Sequence, residues 1–183
     1  MKTREDALNL LHEWVKSDSL RKHCYSVAAS MEAYAVKFGE NSDEYWIAGL
    51  LHDFDYEKHP TLEMHPSEGV KVLEKEGYSK EVIHTILGHG NHTGVKRESL
   101  MDKTLFAVDE LSGLVVALAR VRPGNFSGMS ASSVKKVLKK KEFAAAISRE
   151  DIKQGILDLN VNEEEHYELV ISALAGIKDK FGF

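Results

Sequence analysis

The sequence feature that most constrains the fold is an apolar run that ends in an adjacent imidazole and carboxylate. Residues 46–51 are apolar or glycine, and His52 and Asp53 follow directly. Helix burial explains the run, but aspartate is rarely buried without a partner because an unpaired buried charge is costly. A bound cation would satisfy both side chains, since neutral imidazole and ionised carboxylate are ordinary metal ligands. Adjacent helical residues point ~100° apart, so the two ligands can converge on an ion only near a helix end or from two sides of it.

Helical periodicity extends over most of the chain. Apolar residues recur at i, i+3, i+4 spacing, few stretches alternate apolar and polar residues, and only three of the 183 residues are proline. We therefore predict an all-α fold. The chain length is that of a single domain and is sufficient to bury one core. The predicted helices cover approximately residues 4–16, 18–38, 43–54 (capped by Ser42), 66–76, 80–89, 100–121 and 162–180, with a basic helical stretch beginning at Ser130 or Ser133.

Two further residues of metal-ligand type lie in apolar helical segments. His23 shares the inward face of the second predicted helix, and Asp109 stands among apolar residues of the long helix 100–121. A carboxylate in such a place needs a cation, an arginine or several donors. Lys103 and Arg120 are too far along the helix to pair with Asp109, so a cation or a partner from another helix is expected.

The order of these residues along the chain resembles that of the HD-domain superfamily of metal-dependent phosphohydrolases. The ordered set is His23, His52, Asp53, His65, His89 and Asp109, and the resemblance runs from about His23 to Arg122. The chain looks most similar to small stand-alone bacterial HD or HDIG-type hydrolases, although Phe54 and Asp55 stand where the HDIG pattern has Ile-Gly. The resemblance implies a single HD-type helical bundle over residues 1–183. Its metal-site core would cover about 20–122, and its supporting helices about 130–183.

The resemblance also implies a site for one or two divalent transition-metal ions. The ligands of the first ion would be His23, His52, Asp53 and Asp109. His65 and His89 would hold a second ion, with Asp53 between the two. Nitrogen and oxygen ligands without thiolate suit Fe, Mn, Co, Ni or Zn and do not choose among them.

Other polar residues near these ligands are candidates for catalysis and substrate binding. Asp55, Glu57 and Lys58 follow the His-Asp pair, and we take Asp53, Asp55 and Lys58 as the catalytic set, with a general acid among the last two. His92 is a candidate substrate contact, with an ordinary loop histidine as the alternative. Basic side chains that would hold phosphate at the mouth of the site are Lys103, Arg120 and Arg122.

The reaction implied by the resemblance is hydrolysis of a phosphate ester or anhydride by metal-activated water. The expected substrate is a small molecule that contains phosphate, namely a nucleotide, and the sequence does not decide between monoester and diester cleavage. Two alternatives stay open. The ligand set is also similar to that of HD-fold mixed-valent diiron oxygenases, and the chain could be a non-catalytic metal- or nucleotide-binding module.

Composition narrows the range of partners. A net charge of −5 and a pI near 6.0 argue against general binding to nucleic-acid backbones. The single cysteine, Cys24, excludes an intrachain disulfide and fits a reducing compartment. No apolar segment approaches the ~20 residues that span a bilayer, and the N-terminus has no signal-like apolar core. We therefore predict a cytoplasmic protein that does not enter membranes, of open oligomeric state.

Overall fold

Nine α-helices and two short 3₁₀ turns make up the secondary structure of residues 2–183, the part of the chain that this computed structural model describes. The α-helices are α1 (Arg4–Trp14), α2 (Asp18–Phe38), α3 (Ser42–Leu51), α4 (Ser67–Glu76), α5 (Lys80–Gly88), α6 (Leu100–Val121), α7 (Ala131–Leu138), α8 (Arg149–Leu159) and α9 (Glu163–Gly176). The 3₁₀ turns cover Asn91–Thr93 and Lys178–Phe181. No strand occurs within the described range, so the all-α prediction is confirmed. None of the described helices combines the length and the apolar character needed to cross a bilayer.

The bounds of α3 differ slightly from those predicted, and the difference positions the site. Asn41, rather than Ser42, supplies the N-cap, because its side-chain oxygen accepts hydrogen bonds from the first free N–H groups of the helix. The last helical residue is Leu51 rather than Phe54. His52 is consequently the C-cap of α3, and the chain turns directly after it, as convergence of the His-Asp pair on one ion requires.

Helix α8 was not delimited by the sequence interpretation. Its N-cap is Ser148, whose side chain accepts a hydrogen bond from the Asp151 N–H. Arg149 donates to the carbonyl oxygens of Ala144 and Ile147, each at 2.7 Å. These bonds hold the irregular segment before α8 against the helix and so fix where α8 begins.

Small residues let α2, α3, α6 and α8 approach each other closely. A Cβ atom added at Gly49 in α3 would lie 2.9 Å from the Ala28 Cα in α2. A Cβ added at Gly155 in α8 would lie only 2.5 Å from the Ala107 Cα in α6. Because both contacts are with backbone atoms, the two glycines set the distance between the helices that carry or surround the site.

A buried polar contact ties α9 to the rest of the bundle. His166 has no exposed surface, and its Nε2–H donates to the Ala107 carbonyl of α6 at 3.1 Å. Its Nδ1 accepts a short hydrogen bond from the Tyr34 hydroxyl of α2. The neutral ring therefore satisfies two helices at once, which fixes α9 across α2 and α6.

Candidate metal centre

Five helices bring together the six residues of the predicted ligand set. His23 lies in the second turn of α2, His52 caps the end of α3, and Asp53 follows it. His65 stands two residues before α4, His89 caps the end of α5, and Asp109 lies in the middle of α6. Four of the six therefore lie at or next to a helix terminus, where side chains can turn into a common space.

His23, His52 and Asp109 form one group whose ligand atoms all lie within 4.8 Å of one another. The Nε2 atoms of the two histidines are 3.1 Å apart. The Asp109 Oδ1 lies 3.0 Å from the His23 Nε2 and 3.4 Å from the His52 Nε2. This is the arrangement expected of three ligands around one ion.

Asp53, His65 and His89 form a second such group. The Asp53 Oδ1 lies 3.2 Å from the His65 Nε2 and 3.5 Å from the His89 Nε2. The other carboxylate oxygen, Oδ2, lies 3.6 Å from the His23 Nε2 and 3.5 Å from the His52 Nε2. Asp53 thus presents one oxygen to each group and lies between them.

Hydrogen bonds at Nδ1 fix the orientation of three of the histidines. His52 and His89 each donate to a carbonyl oxygen three residues earlier in the chain, at 2.8 and 2.6 Å. His65 donates from Nδ1 to the Asp55 Oδ1 at 2.7 Å. Since Nδ1 carries the proton in each neutral ring, the Nε2 lone pair is directed into the cluster.

The donor set fits a divalent cation because the cluster otherwise places acceptors against each other. The Nε2 atoms of His65 and His89 lie 3.2 Å apart, and both face the Asp53 carboxylate. When both rings are neutral and protonated at Nδ1, no proton lies between the Nε2 atoms and the carboxylate. These buried acceptors therefore need a cation or additional protons. Nitrogen and oxygen donors in this number suit the transition metals Mn, Fe, Co, Ni and Zn.

The pKa shifts within the cluster also favour additional positive charge between its side chains. Burial alone would lower the pKa of His65, but Asp53 and Asp55 outweigh it and raise this pKa to about 9. Burial likewise opposes protonation of His52, whose pKa the carboxylates of Asp53 and Asp109 raise well above its ordinary value. Burial acts to raise the pKa of both aspartates, but the facing histidines hold these pKa values below the usual range. A metal ion would take the place of the protons that these shifts favour.

A cavity of about 510 Å³ opens beside the two ligand groups. Its lining residues are His23, Asp53, Tyr56, Leu62, His65, His89, Gly90, Asn91, His92, Phe106, Asp109, Glu110 and Asp151. A space of this size holds a small organic molecule next to the ligand atoms.

The structure places Asp55, predicted as a catalytic residue, behind the ligand groups. Asp55 has no exposed surface and does not line the cavity. Its two carboxylate oxygens accept hydrogen bonds from the His65 Nδ1 and from the Gly69 N–H of α4, at 2.7 and 2.9 Å. These contacts suit a side chain that orients the His65 ring.

The predicted basic contacts also lie away from the cavity. The Lys58 ammonium stands 3.6 Å from the centroid of the Trp14 ring, and Lys103 lines a different cavity. Arg122 donates to the Asn125 and Ser127 carbonyls beyond α6. Arg120 is exposed, and the ~1.5 Å rise per helical residue puts it about 16 Å along α6 from Asp109. Spacing along the sequence did not reveal which direction each side chain takes from its helix.

His92, the predicted substrate contact, does line the cavity. Its Nε2–H donates to the His65 carbonyl at 2.9 Å, which anchors the 3₁₀ turn after α5 beside the ligands. A Cβ at Gly90 would lie 2.4 Å from the His92 ring, so a larger residue there would displace this ring.

Two acidic residues of the cavity were missed by the sequence interpretation. Glu110 follows Asp109 in α6, and burial, reinforced by the charge of Asp109, raises the pKa of Glu110 to about 7. Asp151 comes from the first turn of α8. Adjacency to a predicted ligand could have drawn attention to Glu110. No local signal points Asp151 toward the site, because its position depends on how α8 packs on α6.

Comparison with known proteins agrees with this geometry. The family model described as HD domain matches residues 20–114, more than half of the chain. Ribonuclease Y of Oleidesulfovibrio alaskensis is 32% identical over 98 residues, which cover 53% of this chain and 18% of that protein. Ribonuclease Y of Geotalea uraniireducens is 28% identical over 133 residues, which cover 72% of this chain and 24% of that protein.

The aligned segments thus span less than a quarter of the length of these curated relatives. No solved structure matches the chain. The family match covers every residue of the ligand set. The chain belongs to the HD domain family.

Proposed function

We propose that this protein is a metal-dependent phosphohydrolase that cleaves a phosphate ester or anhydride, with a nucleotide as substrate. The observation that carries the proposal is the division of the six ligands into two groups around Asp53. One carboxylate oxygen faces His23 and His52, and the other faces His65 and His89. Two ligand groups joined by one carboxylate are the arrangement used in two-metal hydrolysis of phosphate esters.

The residues of the chain have distinct tasks in this proposal. His23, His52, Asp53 and Asp109 would hold one divalent ion, and Asp53, His65 and His89 a second. When bound, the ions would supply electrostatic stabilisation of a phosphoryl oxygen and a water nucleophile of lowered pKa.

Other residues of the chain orient a ligand and shape the cavity. Asp55 keeps the Nε2 of His65 directed at the cluster. Tyr56, Leu62 and Phe106 form the apolar part of the cavity wall.

We further propose that the chain forms one HD-type domain in which the C-terminal helices take part in the site. Helix α8 packs on α6 through Gly155 and Ala107 and brings Asp151 to the cavity. The segment after residue 130 therefore contributes to the site as well as supporting it.

An RNA phosphodiester is a second candidate substrate. The observation in its favour is that both curated relatives named above are ribonuclease Y. Because this chain matches less than a quarter of those proteins, a short single-stranded RNA belongs in the substrate screen beside small phosphate esters.

The test is metal binding followed by a phosphatase screen with Asp53→Ala as the diagnostic variant. Purified protein is reconstituted separately with excess Mn, Fe, Co, Ni and Zn, and bound metal is counted after removal of free ions. We expect two ions per chain, hydrolysis of at least one phosphate ester, and loss of both in Asp53→Ala with the helical circular dichroism retained. Metal content in Asp53→Ala equal to that of wild type would contradict the proposal. Oxygen consumption by the iron-loaded protein without phosphate release would favour the oxygenase instead.

A further inference from the structure

The cavity beside the ligand groups carries an unusual charge for a phosphate site. Four carboxylates line it, those of Asp53, Asp109, Glu110 and Asp151. No lysine or arginine is among its lining residues in the described chain. A phosphate-binding cavity ordinarily adds lysine or arginine side chains to its metals.

Arg97 contacts residues of the cavity wall. Arg97 donates to the Gly88 carbonyl at 3.1 Å and to the Asn91 Oδ1 at 3.0 Å, and its guanidinium lies 3.6 Å from the centroid of the Phe106 ring. Asn91 in turn donates from Nδ2 to the Asp151 Oδ1 at 3.0 Å. Arg97 thus acts on the cavity through Asn91, which holds the Asp151 carboxylate in place and leaves its second oxygen available.

We infer that the substrate is a phosphate monoester with a single phosphoryl group, whose organic part carries hydroxyl or ammonium donors read by Glu110 and Asp151. This inference rests on the proposed phosphohydrolase function. The acidic side chains of the lining would offset much of the positive charge of two divalent ions, and no lysine or arginine lines the described cavity to add more. Little positive charge then remains to neutralise the additional phosphates of a di- or triphosphate.

The two carboxylates that lie outside the ligand groups define what the organic part must offer. Glu110 and Asp151 are partly buried, and their carboxyl oxygens accept hydrogen bonds. A substrate that brought further anionic groups would place negative charge against these oxygens. Hydroxyl groups of a sugar or polyol, or the ammonium of an amino alcohol, meet the same requirement. The apolar residues Tyr56, Leu62 and Phe106 complete the wall and accommodate carbon atoms of the same molecule.

The test compares phosphate monoesters that differ in donors and in charge, using the metal-loaded full chain. The substrates are p-nitrophenyl phosphate, glycerol phosphate, a pentose 5-phosphate, ethanolamine phosphate, and a nucleoside mono-, di- and triphosphate. We expect kcat/KM to be highest for a donor-bearing monophosphate and to fall by about tenfold or more with each added phosphate. The polyol and ethanolamine esters distinguish hydroxyl from ammonium donors.

The diagnostic variants are Glu110→Gln and Asp151→Asn, singly and combined. Loss of a hydrogen bond to a charged group predicts a fall of about 10- to 100-fold in kcat/KM for the preferred donor-bearing ester. The ratio of this kcat/KM to that for p-nitrophenyl phosphate, which has no such donors, should fall by a similar factor. Glu150→Gln is the matched control, since Glu150 is an exposed neighbour of Asp151 on α8 and does not line the cavity.

Measurements of ligand binding without turnover test the inference independently. Calorimetric titration of the metal-loaded protein with inorganic phosphate and with tripolyphosphate should show weaker binding of the more highly charged ion. Equal or better hydrolysis of triphosphates, or an unchanged ratio of donor-bearing to p-nitrophenyl ester in the double variant, would overturn the inference while leaving the hydrolase intact. A protein that binds metal and hydrolyses no phosphate ester would instead overturn the proposed function.

Discussion

The Asp55→Asn substitution tests whether the orientation of a candidate ligand, His65, matters when the ligand itself is kept. Asp55 touches no part of the cavity, yet its carboxylate fixes His65 on one side and the start of α4 on the other. Asparagine has the same shape but only one acceptor oxygen, and its NH₂ group must face either the His65 Nδ1 or the Gly69 N–H. The variant therefore keeps all six candidate ligands and disturbs the direction of one.

The magnitudes follow from the two hydrogen bonds, at 2.7 and 2.9 Å, to a carboxylate with no exposed surface. Losing one charge-assisted bond and leaving a buried donor opposite the amide should lower the free energy of unfolding by about 2–4 kcal/mol. Loss of a hydrogen-bond partner that orients a metal-binding histidine lowers metal affinity by about 10- to 100-fold. We expect this loss for the ion held by Asp53, His65 and His89, and little change for the ion held by His23, His52 and Asp109.

The assay is a metal titration by calorimetry, which resolves two binding steps in wild type, together with urea unfolding of the metal-free protein. Asp102→Asn is the matched control. Asp102 is a buried carboxylate that accepts hydrogen bonds from Thr85, at 2.6 Å, and from the Ser99 N–H, at 3.0 Å, and it does not line the metal cavity. Its amide variant should lose similar stability and keep both metal-binding steps.

Wild-type affinity for both ions in Asp55→Asn would refute the reasoning, because His65 would then need no partner at Nδ1. Equal weakening of both ions in Asp55→Asn and in Asp102→Asn would also refute it, since general destabilisation would explain the effect.

The two remaining predictions concern the bundle that carries the site. Gly155→Ala should lower the free energy of unfolding by about 1–3 kcal/mol, because the added Cβ would lie 2.5 Å from the Ala107 Cα. Gly176→Ala is the control and should change this free energy little, because a Cβ there would meet nothing within 4 Å. Equal urea midpoints for the two variants would contradict the prediction. Burial lowers the pKa of His166 to about 4, so the folded state binds this proton less readily than the unfolded chain does. The stabilisation is complete above the ordinary pKa of ~6.5 and is lost as the pH falls toward 4, by up to about 3 kcal/mol. The difference between the pH–stability curves of wild type and His166→Asn should show this slope, and parallel curves would contradict it.

Local sequence signals predicted most of the fold, because each acts within one or two helical turns. Ser99 accepts the hydrogen bond that starts α6, and Gly39 ends α2 in a left-handed conformation with φ of 71°. Both ends are confirmed. The N-cap of α3 was predicted at Ser42 and lies one residue earlier, at Asn41, because either of these adjacent side chains can supply the acceptor oxygen.

The candidate ligands could also be named in advance, because the order of these histidines and aspartates along the chain resembles that of the HD-domain superfamily and several of them stand at apolar positions. Burial of such a side chain is costly without a partner, so the residue type and its surroundings together carry the information. That these ligands form two groups, with one oxygen of Asp53 directed to each, could not be read from the sequence. It depends on where the end of α3 lies relative to α2, α5 and α6.

The sequence by itself determined the helices, the apolar faces and the identity of the residues able to bind metal. Only the tertiary structure decided which polar groups meet in the cavity. Asp55 has a side chain of ligand type and is buried behind His65, whereas Asp151 lies in a helix far along the chain and reaches the cavity. The physical reason is that caps and periodicity are properties of one segment, while the charge of a cavity is set by side chains from helices that pack together only in the folded chain.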